Sequence, residues 1–133
     1  MKIIGVIPAR YNSSRFVGKP LADILGRPMI WWVYNQVLKV KEFDSVYVAT
    51  DDERISEVCI KFNMKYIMTS DQHGTSTERL YEVAQKINAD YYVCVNGDEP
   101  LIDPNVIIKI IPNYVEKSEI YVANLMTEVK NPV

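Results

Sequence analysis

Short runs of β-branched and aromatic residues alternate with amphipathic stretches along this chain, and that alternation constrains its fold more than any other feature. It is typical of βα units wound around a mostly parallel sheet. The pattern predicts five strands, at residues 3–8, 45–50, 65–68, 91–96 and 120–125. It predicts four helices, at residues 29–40, 52–62, 77–87 and 105–116. We therefore expect an α/β fold built around a mostly parallel sheet.

The length and composition fit one domain. The 133 residues contain no repeat and no Gly/Ser-rich linker, so we expect a single domain over residues 1–133. The composition, 48% hydrophobic and 24% charged, is ordinary for a soluble globule, and no apolar run could cross a bilayer. The apolar run after Lys2 ends at Pro8, too soon for a secretory signal. We therefore expect a cytoplasmic protein without a membrane span.

A long polar segment, residues 10–27, follows the first predicted strand where a tight turn would suffice. Arginine forks bind phosphate oxygens in pairs, lysine adds a point charge, and glycine lets backbone N–H groups approach closely. The segment therefore predicts a polyanion-binding loop at the carboxyl end of a strand, where ligands bind in parallel sheets. The alternative is a solvated surface loop. The residues concerned are Arg10, Ser13, Ser14, Arg15, Gly18 and Lys19.

This loop does not match the common phosphate-binding motifs. A Walker A loop needs a glycine at position 13 and Ser or Thr at position 20, where this chain has Ser13 and Pro20. No GxGxxG is present either. With a net charge of −2, the chain lacks the broad basic field that nucleic-acid binding usually requires, although this charge allows a local anion site. We therefore expect no nucleic-acid partner.

A second polar cluster, residues 96–100, follows the very apolar fourth strand and reads Asn-Gly-Asp-Glu-Pro. A carboxylate at the end of a buried parallel strand is well placed to hold Mg²⁺, which prefers one or two carboxylates together with substrate phosphates. Alternatively, Asp98 and Glu99 belong to an ordinary turn. Together with the cationic loop, the cluster favours a nucleotidyltransferase.

Four separated segments resemble the 3-deoxy-manno-octulosonate cytidylyltransferase family, also called CMP-KDO synthetases. They are residues 7–15 together with 18–21, residues 48–55, residues 68–70 and residues 97–102. The resemblance implies a three-layer GT-A/Rossmann-like nucleotidyltransferase fold, here truncated after the fifth strand. It also implies the reaction, in which the anomeric hydroxyl of a sugar acid attacks the α-phosphorus of CTP and pyrophosphate leaves, with Mg²⁺ as cofactor.

The resemblance further implies roles for individual residues. Arg10 and Lys19 would neutralise the triphosphate, and Asp98 would bind Mg²⁺, so these three are the candidate catalytic residues. Pro8, Ala9 and Arg10 would line the cytosine pocket through main-chain contacts. The full set of candidate nucleotide-binding residues is Pro8, Ala9, Arg10, Ser14, Arg15, Lys19, Thr69, Ser70 and Arg79.

Two departures from the family pattern bear on sugar selectivity. The family's Thr-Asp-Arg stretch reads Thr77-Glu78-Arg79 here, and a glutamine usual before the Gly-Asp-Glu-Pro block is Asn96. Asparagine has the shorter amide side chain and would have to reach further to the same ligand. The acceptor sugar acid is therefore less firmly implied than CTP.

Family members continue past a point like Val133 into a second half. That half supplies a further metal-binding aspartate, most sugar-acid contacts and much of the surface of the homodimer. We therefore expect this chain to be the nucleotide-binding half, with CTP and a sugar acid as partners. Other possible functions are a different sugar-acid or phosphonate cytidylyltransferase, a GT-A glycosyltransferase, or a non-catalytic nucleotide-binding fragment.

Several conspicuous residues have structural interpretations. Cys59 and Cys94 lie in apolar patterns without a CxxC, so we interpret both as core thiols rather than a disulfide or redox pair. His73 has no second His or Cys nearby and is interpreted as a loop residue. We expect Trp31 and Trp32, with Tyr34, to pack in the core or an interface.

Acidic residues at element ends are interpreted in the same way. The three acids at positions 51–53 precede a helix, where capping and the helix dipole explain them, although they could also hold a metal. Asp90 is interpreted as a strand-entry residue and Asp103 as a helix cap.

Overall fold

Five strands form one parallel sheet in the computed structural model, which describes residues 2–12, 17–95, 102–109 and 121–125. The sheet strands are β1 (Ile3–Ala9), β4 (Ser45–Thr50), β5 (Tyr66–Met68), β6 (Tyr91–Val95) and β7 (Tyr121–Leu125). The helices of the described ranges are α1 (Met29–Leu38), α2 (Glu53–Lys61), α3 (Ser76–Lys86) and α4 (Pro104–Lys109). A separate hairpin consists of β2 (Asp23–Ile24) and β3 (Arg27–Pro28).

The strand order is β5-β4-β1-β6-β7, with every pair parallel. The chain moves outward from β1 through β4 to β5 and then returns to place β6 on the other side of β1. Counting only the sheet strands, this is the 3-2-1-4-5 order of a doubly wound fold. The predicted α/β fold with a parallel sheet is therefore confirmed, and the order reverses between β1 and β6.

The core lies in two layers because alternate residues of the central strands face opposite sides. On β1, Ile3 and Ile7 pack with α1, α2 and α4, whereas Ile4 and Val6 pack with α3. All five residues of β6 are buried, as expected for a strand covered by helices on both faces. The three-layer arrangement follows directly from these apolar runs.

Two aspartates anchor the amino end of β1. The N–H of Ile3 donates to Asp44 Oδ2 at 2.7 Å, and the N–H of Lys2 donates to Asp90 Oδ2 at 2.8 Å. The strand-entry role predicted for Asp90 is thus confirmed. Asp103 accepts from the N–H of Asn105 at 2.9 Å, which confirms it as the cap of α4.

The β2–β3 hairpin, residues 23–28, overlaps the end of the segment 10–27 that the sequence predicts to be a polar loop. Its turn residues, Leu25 and Gly26, have φ values of 53° and 90°. Positive φ at both central positions is the backbone of a type I′ turn, which usually carries Asn-Gly or Asp-Gly. Leu-Gly lacks that signature, and the Leu25 side chain is 87% exposed. A 3₁₀ turn at Lys19–Leu21 adds further structure to the same segment.

The cysteines and aromatic residues pack as predicted. Cys59 and Cys94 are free and buried, and burial raises their thiol pKa to about 11 and about 12. The hydroxyl of Tyr34, in the core, donates to the carbonyl of Val46 at 3.3 Å. Burial is also the largest cause of its raised pKa.

The paired tryptophans pack beside the hairpin. Trp31 and Trp32 meet edge to face at 4.9 Å, and the indole N–H of Trp32 donates to the carbonyl of Ile24 at 2.8 Å. The pair therefore ties α1 to β2, which confirms packing within the protein. No helix in the described ranges is both long and apolar enough to cross a membrane.

Gly5, in the middle of β1, is packed against the ring of Phe43. A Cβ at position 5 would lie 2.8 Å from Phe43 Cε2, whereas one at exposed Gly74 would make an ordinary contact of 3.6 Å. We expect Gly5→Ala to lower the free energy of unfolding by about 1–3 kcal/mol through overpacking, and Gly74→Ala to change it far less. Urea denaturation measures both, and equal effects would contradict the steric explanation.

Candidate functional site

The strands β1, β4 and β5 end at one edge of the sheet. Ala9 is in register with Thr50, and Thr50 is in register with Met68. Arg10 directly follows β1, and Thr69 directly follows β5. The structure therefore brings the predicted residues after β1 and β5 to the same edge, with the start of α2 between them.

The end of β1 lies at the point where the strand order reverses. Its ladder with β4 continues to Ala9 and Thr50, whereas its described ladder with β6 ends at Val6 and Cys94. Pro8 and Ala9 therefore extend beyond the described pairing with β6. In open α/β sheets the ligand crevice lies outside the carboxyl ends of the strands at such a point.

The cationic segment after β1 is closed by a backbone contact. The N–H of Gly18 donates to the carbonyl of Tyr11 at 2.6 Å, and the N–H of Leu21 donates to the carbonyl of Gly18 at 2.9 Å. Gly18 has φ 76°, and a Cβ there would lie 3.1 Å from the Tyr11 ring. We call this closure the Tyr11–Gly18 stem. Exposed Arg10 precedes Tyr11 in the chain, and half-buried Lys19 follows Gly18. Ser14 and Arg15 lie outside the described residues.

The carboxylates at the start of α2 are paired with arginines. Asp52 caps α2 by accepting from the N–H of Arg54 at 2.8 Å, which confirms the predicted cap. It also accepts from Arg54 Nε at 3.0 Å and Nη2 at 2.8 Å, and this bonding is the main cause of its lowered pKa. Asp51 Oδ2 lies 3.3 Å from Arg79 Nη2.

The acidic side chains that the structure describes do not form a metal-binding cluster. Among the residues that the structure describes, no group of three or more His, Cys, Asp or Glu side chains could hold a metal ion. Asp98, the predicted metal ligand, lies outside the described residues, as does Asn96. In the sequence, two residues separate Asp98 from Val95, the last residue of β6.

Arg79 joins two of the loops at the edge. Its side chain is only 2% exposed, and its guanidinium donates to Thr69 Oγ1, to the carbonyl of Ser70 at 3.4 Å and to Asp51 at 3.3 Å. The predicted residues Thr69, Ser70 and Arg79 are thus in contact with one another. Because the guanidinium is used within the protein, Arg79 orients the loop after β5. Its direct contact with a nucleotide stays a prediction.

Glu82 of α3 holds the loop after β5 in place. Its Oε1 accepts from the N–H of Ser70 at 2.8 Å and lies 2.7 Å from His73 Nε2, while its Oε2 lies 2.7 Å from Lys86 Nζ. The bond with Lys86, followed by the bond from Ser70, lowers the Glu82 pKa to about 2. His73 is a loop residue as predicted, but its contact with Glu82 was missed. The signal in the sequence that points to Glu82 as an ion-pairing residue is its i,i+4 spacing from Lys86.

Residues 4–133 match the family model described as Cytidylyltransferase. The chain belongs to the cytidylyltransferase family. It is 47% identical over 130 residues to the 3-deoxy-manno-octulosonate cytidylyltransferase of Geotalea uraniireducens, a match that covers 98% of this chain and 52% of the relative. It is 57% identical over 109 residues to the enzyme of that name from Parabacteroides distasonis, covering 80% of this chain and 43% of the relative. The chain spans about half the length of the curated relatives it matches.

Among solved structures, the fold is similar to that of CMP:2-keto-3-deoxy-manno-octonic acid synthetase complexed with CTP. The TM-score is 0.81 at 47% sequence identity, covering 83% of this chain and 46% of that one. The resemblance seen in the sequence and the nucleotidyltransferase fold that it implied are both confirmed. The roles of individual site residues in this cytidylyltransferase domain stay predictions.

The contacts of Glu82 predict a pH-dependent contribution to stability. Because its folded-state pKa of about 2 lies below the ordinary 4.5, the stabilisation is complete above pH 4.5 and is lost as the pH falls toward 2. We expect Glu82→Gln to lower the free energy of unfolding at pH 7 by about 1–2 kcal/mol, a deficit that shrinks on acidification. Denaturation of both proteins between pH 7 and pH 2.5 measures this. Exposed Glu57→Gln is the control, and a pH-independent deficit would contradict the assignment.

Proposed function

We propose that this chain is the nucleotide-binding part of an enzyme that transfers CMP from CTP to the anomeric hydroxyl of 3-deoxy-manno-octulosonate, releasing pyrophosphate. The observation that carries the proposal is the placement of Arg10 and Lys19 beside the Tyr11–Gly18 stem, at the point where the strand order reverses. The names of the relatives and the CTP complex of the similar structure support the choice of substrates.

The two cations suit the charge changes of this reaction. A triphosphate repels an incoming hydroxyl oxygen, and negative charge accumulates on the pyrophosphate as it leaves. Arg10 can bind two phosphate oxygens through its planar fork, while Lys19 supplies a compact charge. Both therefore stabilise the transition state of in-line attack on the α-phosphorus, where positioning and electrostatics supply most of the catalysis.

The end of β1 is suited to reading the cytosine base. Backbone groups of Pro8 and Ala9 are held by the ladder with β4 and extend beyond the described ladder with β6, and Arg10 follows directly in the chain. Rigid carbonyl and N–H groups of this kind select a base by its pattern of donors and acceptors. On the far side of β4, Thr69 and Ser70 are proposed to lie near the base and ribose, in the orientation that Arg79 imposes.

A magnesium ion is part of the proposal, with Asp98 as its ligand. Asp51 and Asp52 are engaged by Arg79 and Arg54. The choice of Asp98 rests on the family resemblance, and a carboxylate suits a hard cation that also binds phosphates. When bound, Mg²⁺ would neutralise phosphate charge during the transfer. The cytoplasmic location and the homodimer of the full-length enzyme belong to the same proposal.

Nucleotide titration tests the proposed substrate. We expect CTP to bind more tightly than UTP or ATP in the presence of Mg²⁺, and Arg10→Ala and Lys19→Ala each to weaken CTP binding by about 1–3 kcal/mol. Isothermal titration measures the affinities, with exposed Lys61→Ala as a charge-matched control. Equal affinity for CTP and ATP would rule out the pyrimidine site, and normal affinity in both variants would make the loop a solvated surface loop. Tight CTP binding without pyrophosphate release on addition of the sugar acid would favour a non-catalytic nucleotide-binding fragment.

The metal site has its own test. Asn keeps the size of Asp98 but removes the charge that a hard cation selects, so we expect Asp98→Asn to abolish the effect of Mg²⁺ on CTP affinity. Glu99→Gln, the neighbouring control, should reduce it less. Titrations of Mg²⁺ into each variant, with and without CTP, measure how much of the Mg²⁺ effect each substitution removes. An unchanged Mg²⁺ effect in Asp98→Asn would leave residues 97–98 as an ordinary turn.

A further inference from the structure

Arg54 lies beside the cationic segment but has no role in the function proposed above. Its side chain is 55% exposed, yet both its face and its edge are in contact with protein. The guanidinium carbon lies 3.3 Å from the centroid of the Tyr11 ring, and Nε and Nη2 bind the two carboxylate oxygens of Asp52. An exposed arginine with only one of these contacts would keep most of its rotamer freedom.

The stacked ring belongs to the residue that closes the cationic segment. The Tyr11 carbonyl accepts from the N–H of Gly18 at 2.6 Å, and the ring packs directly on Gly18. Arg10 precedes Tyr11 in the chain, and Lys19 follows Gly18. The Tyr11–Gly18 contact therefore brings together the neighbours in the chain of the two cations that are proposed to bind the triphosphate.

The other end of this set of contacts is anchored on a helix. Asp52 is the N-cap of α2, and its side chain is mostly buried. Helix starts of this kind are rigid compared with surface loops, because the cap fixes the first turn. The contacts thus run from a helix terminus, through a guanidinium and an aromatic ring, to the stem of the loop.

We propose that Arg54 is a positioning residue: together with Asp52 and Tyr11 it forms a clamp that holds Arg10 and Lys19 at the spacing needed for a triphosphate. The ligand in this inference rests on the proposed function, whereas the clamp itself is a property of the ligand-free chain. We call these three residues the Tyr11 clamp.

The chemistry of the clamp explains why an arginine stands at position 54. A cation this close to a phosphate site would ordinarily bind phosphate, but Asp52 neutralises Arg54 and occupies the edge of its guanidinium. The planar group still offers its face to Tyr11, which an ammonium cannot do equally well. The Asp52–Arg54 pair therefore orders the loop without adding net positive charge to the site.

The first experiment examines the protein without any nucleotide. NMR-detected exchange of the Gly18 amide reports the bond to Tyr11. We expect Arg54→Ala and Tyr11→Leu to speed this exchange about tenfold, since a stacking contact of this size is lost. Asp52→Asn should show part of the effect, because Asn still caps the helix but no longer pairs with Arg54.

The control for this experiment is Lys61→Ala, which removes the same charge from the other end of α2 and should leave exchange unchanged. Far-UV circular dichroism checks that each variant is folded. Since Arg54 is 55% exposed and Asn keeps the size of Asp52, neither substitution opens a core cavity. Unchanged Gly18 exchange in both Arg54→Ala and Tyr11→Leu would overturn the clamp.

The second experiment separates positioning from direct phosphate binding. We expect Arg54→Ala and Tyr11→Leu each to weaken CTP binding about tenfold, and the double variant to be no weaker than either single one, because both remove the same clamp. Arg54→Lys should bind as weakly as Arg54→Ala, since lysine lacks the planar fork. Near-normal affinity in Arg54→Lys, together with additive losses in the double variant, would make Arg54 a direct phosphate ligand and overturn the proposal.

The two experiments also separate this inference from the proposed function. If wild-type chain fails to bind CTP, the proposed function fails, and Gly18 exchange alone decides whether the clamp exists. If wild type binds CTP but the clamp variants bind it normally, the proposed function stands and positioning by Arg54 is wrong.

Discussion

The central position of β1 is the constraint on which the other features of this domain depend. Its residues are buried against helices on both faces, and its two neighbours come from different parts of the chain. Two aspartates, Asp44 and Asp90, fix its amino end through backbone N–H groups. With the strand held at that end and along both sides, its carboxyl end becomes a rigid point from which Pro8, Ala9 and Arg10 extend toward the crevice.

Two consecutive aspartates after β4 organise the loops around this point. Asp51 faces the buried Arg79 and so connects with the loop after β5, whereas Asp52 faces Arg54 and so connects with the loop after β1. Each pair is neutral, so both loops are ordered without enlarging the local positive field. From the sequence, Asp51 and Asp52 are interpreted as acids at the start of a helix. In the structure they also link the ends of β1, β4 and β5.

Within the described residues, the sequence alone predicts the strands and helices well, because runs such as those of β4 and β6 carry strong β-branched and aromatic patterns. It predicts the cationic segment too, since Arg10, Gly18 and Lys19 are close in the chain. It misses the hairpin, because Leu25 occupies a positive-φ turn position that usually carries Asn or Asp. It also misses the Arg54–Tyr11 and Glu82–Ser70 contacts, which join residues far apart in sequence and exist only once the helices have packed.

The placement of the two cysteines gives each side of the sheet its own chemical probe. Cys59 packs in the layer of α1, α2 and α4, while Cys94 packs in the layer of α3. Since the thiolate is the reactive form, burial and the raised pKa protect both from alkylating reagents while the domain is closed. Alkylation at one cysteine before the other would therefore reveal which layer of the domain opens first, with the native thiols as the probes.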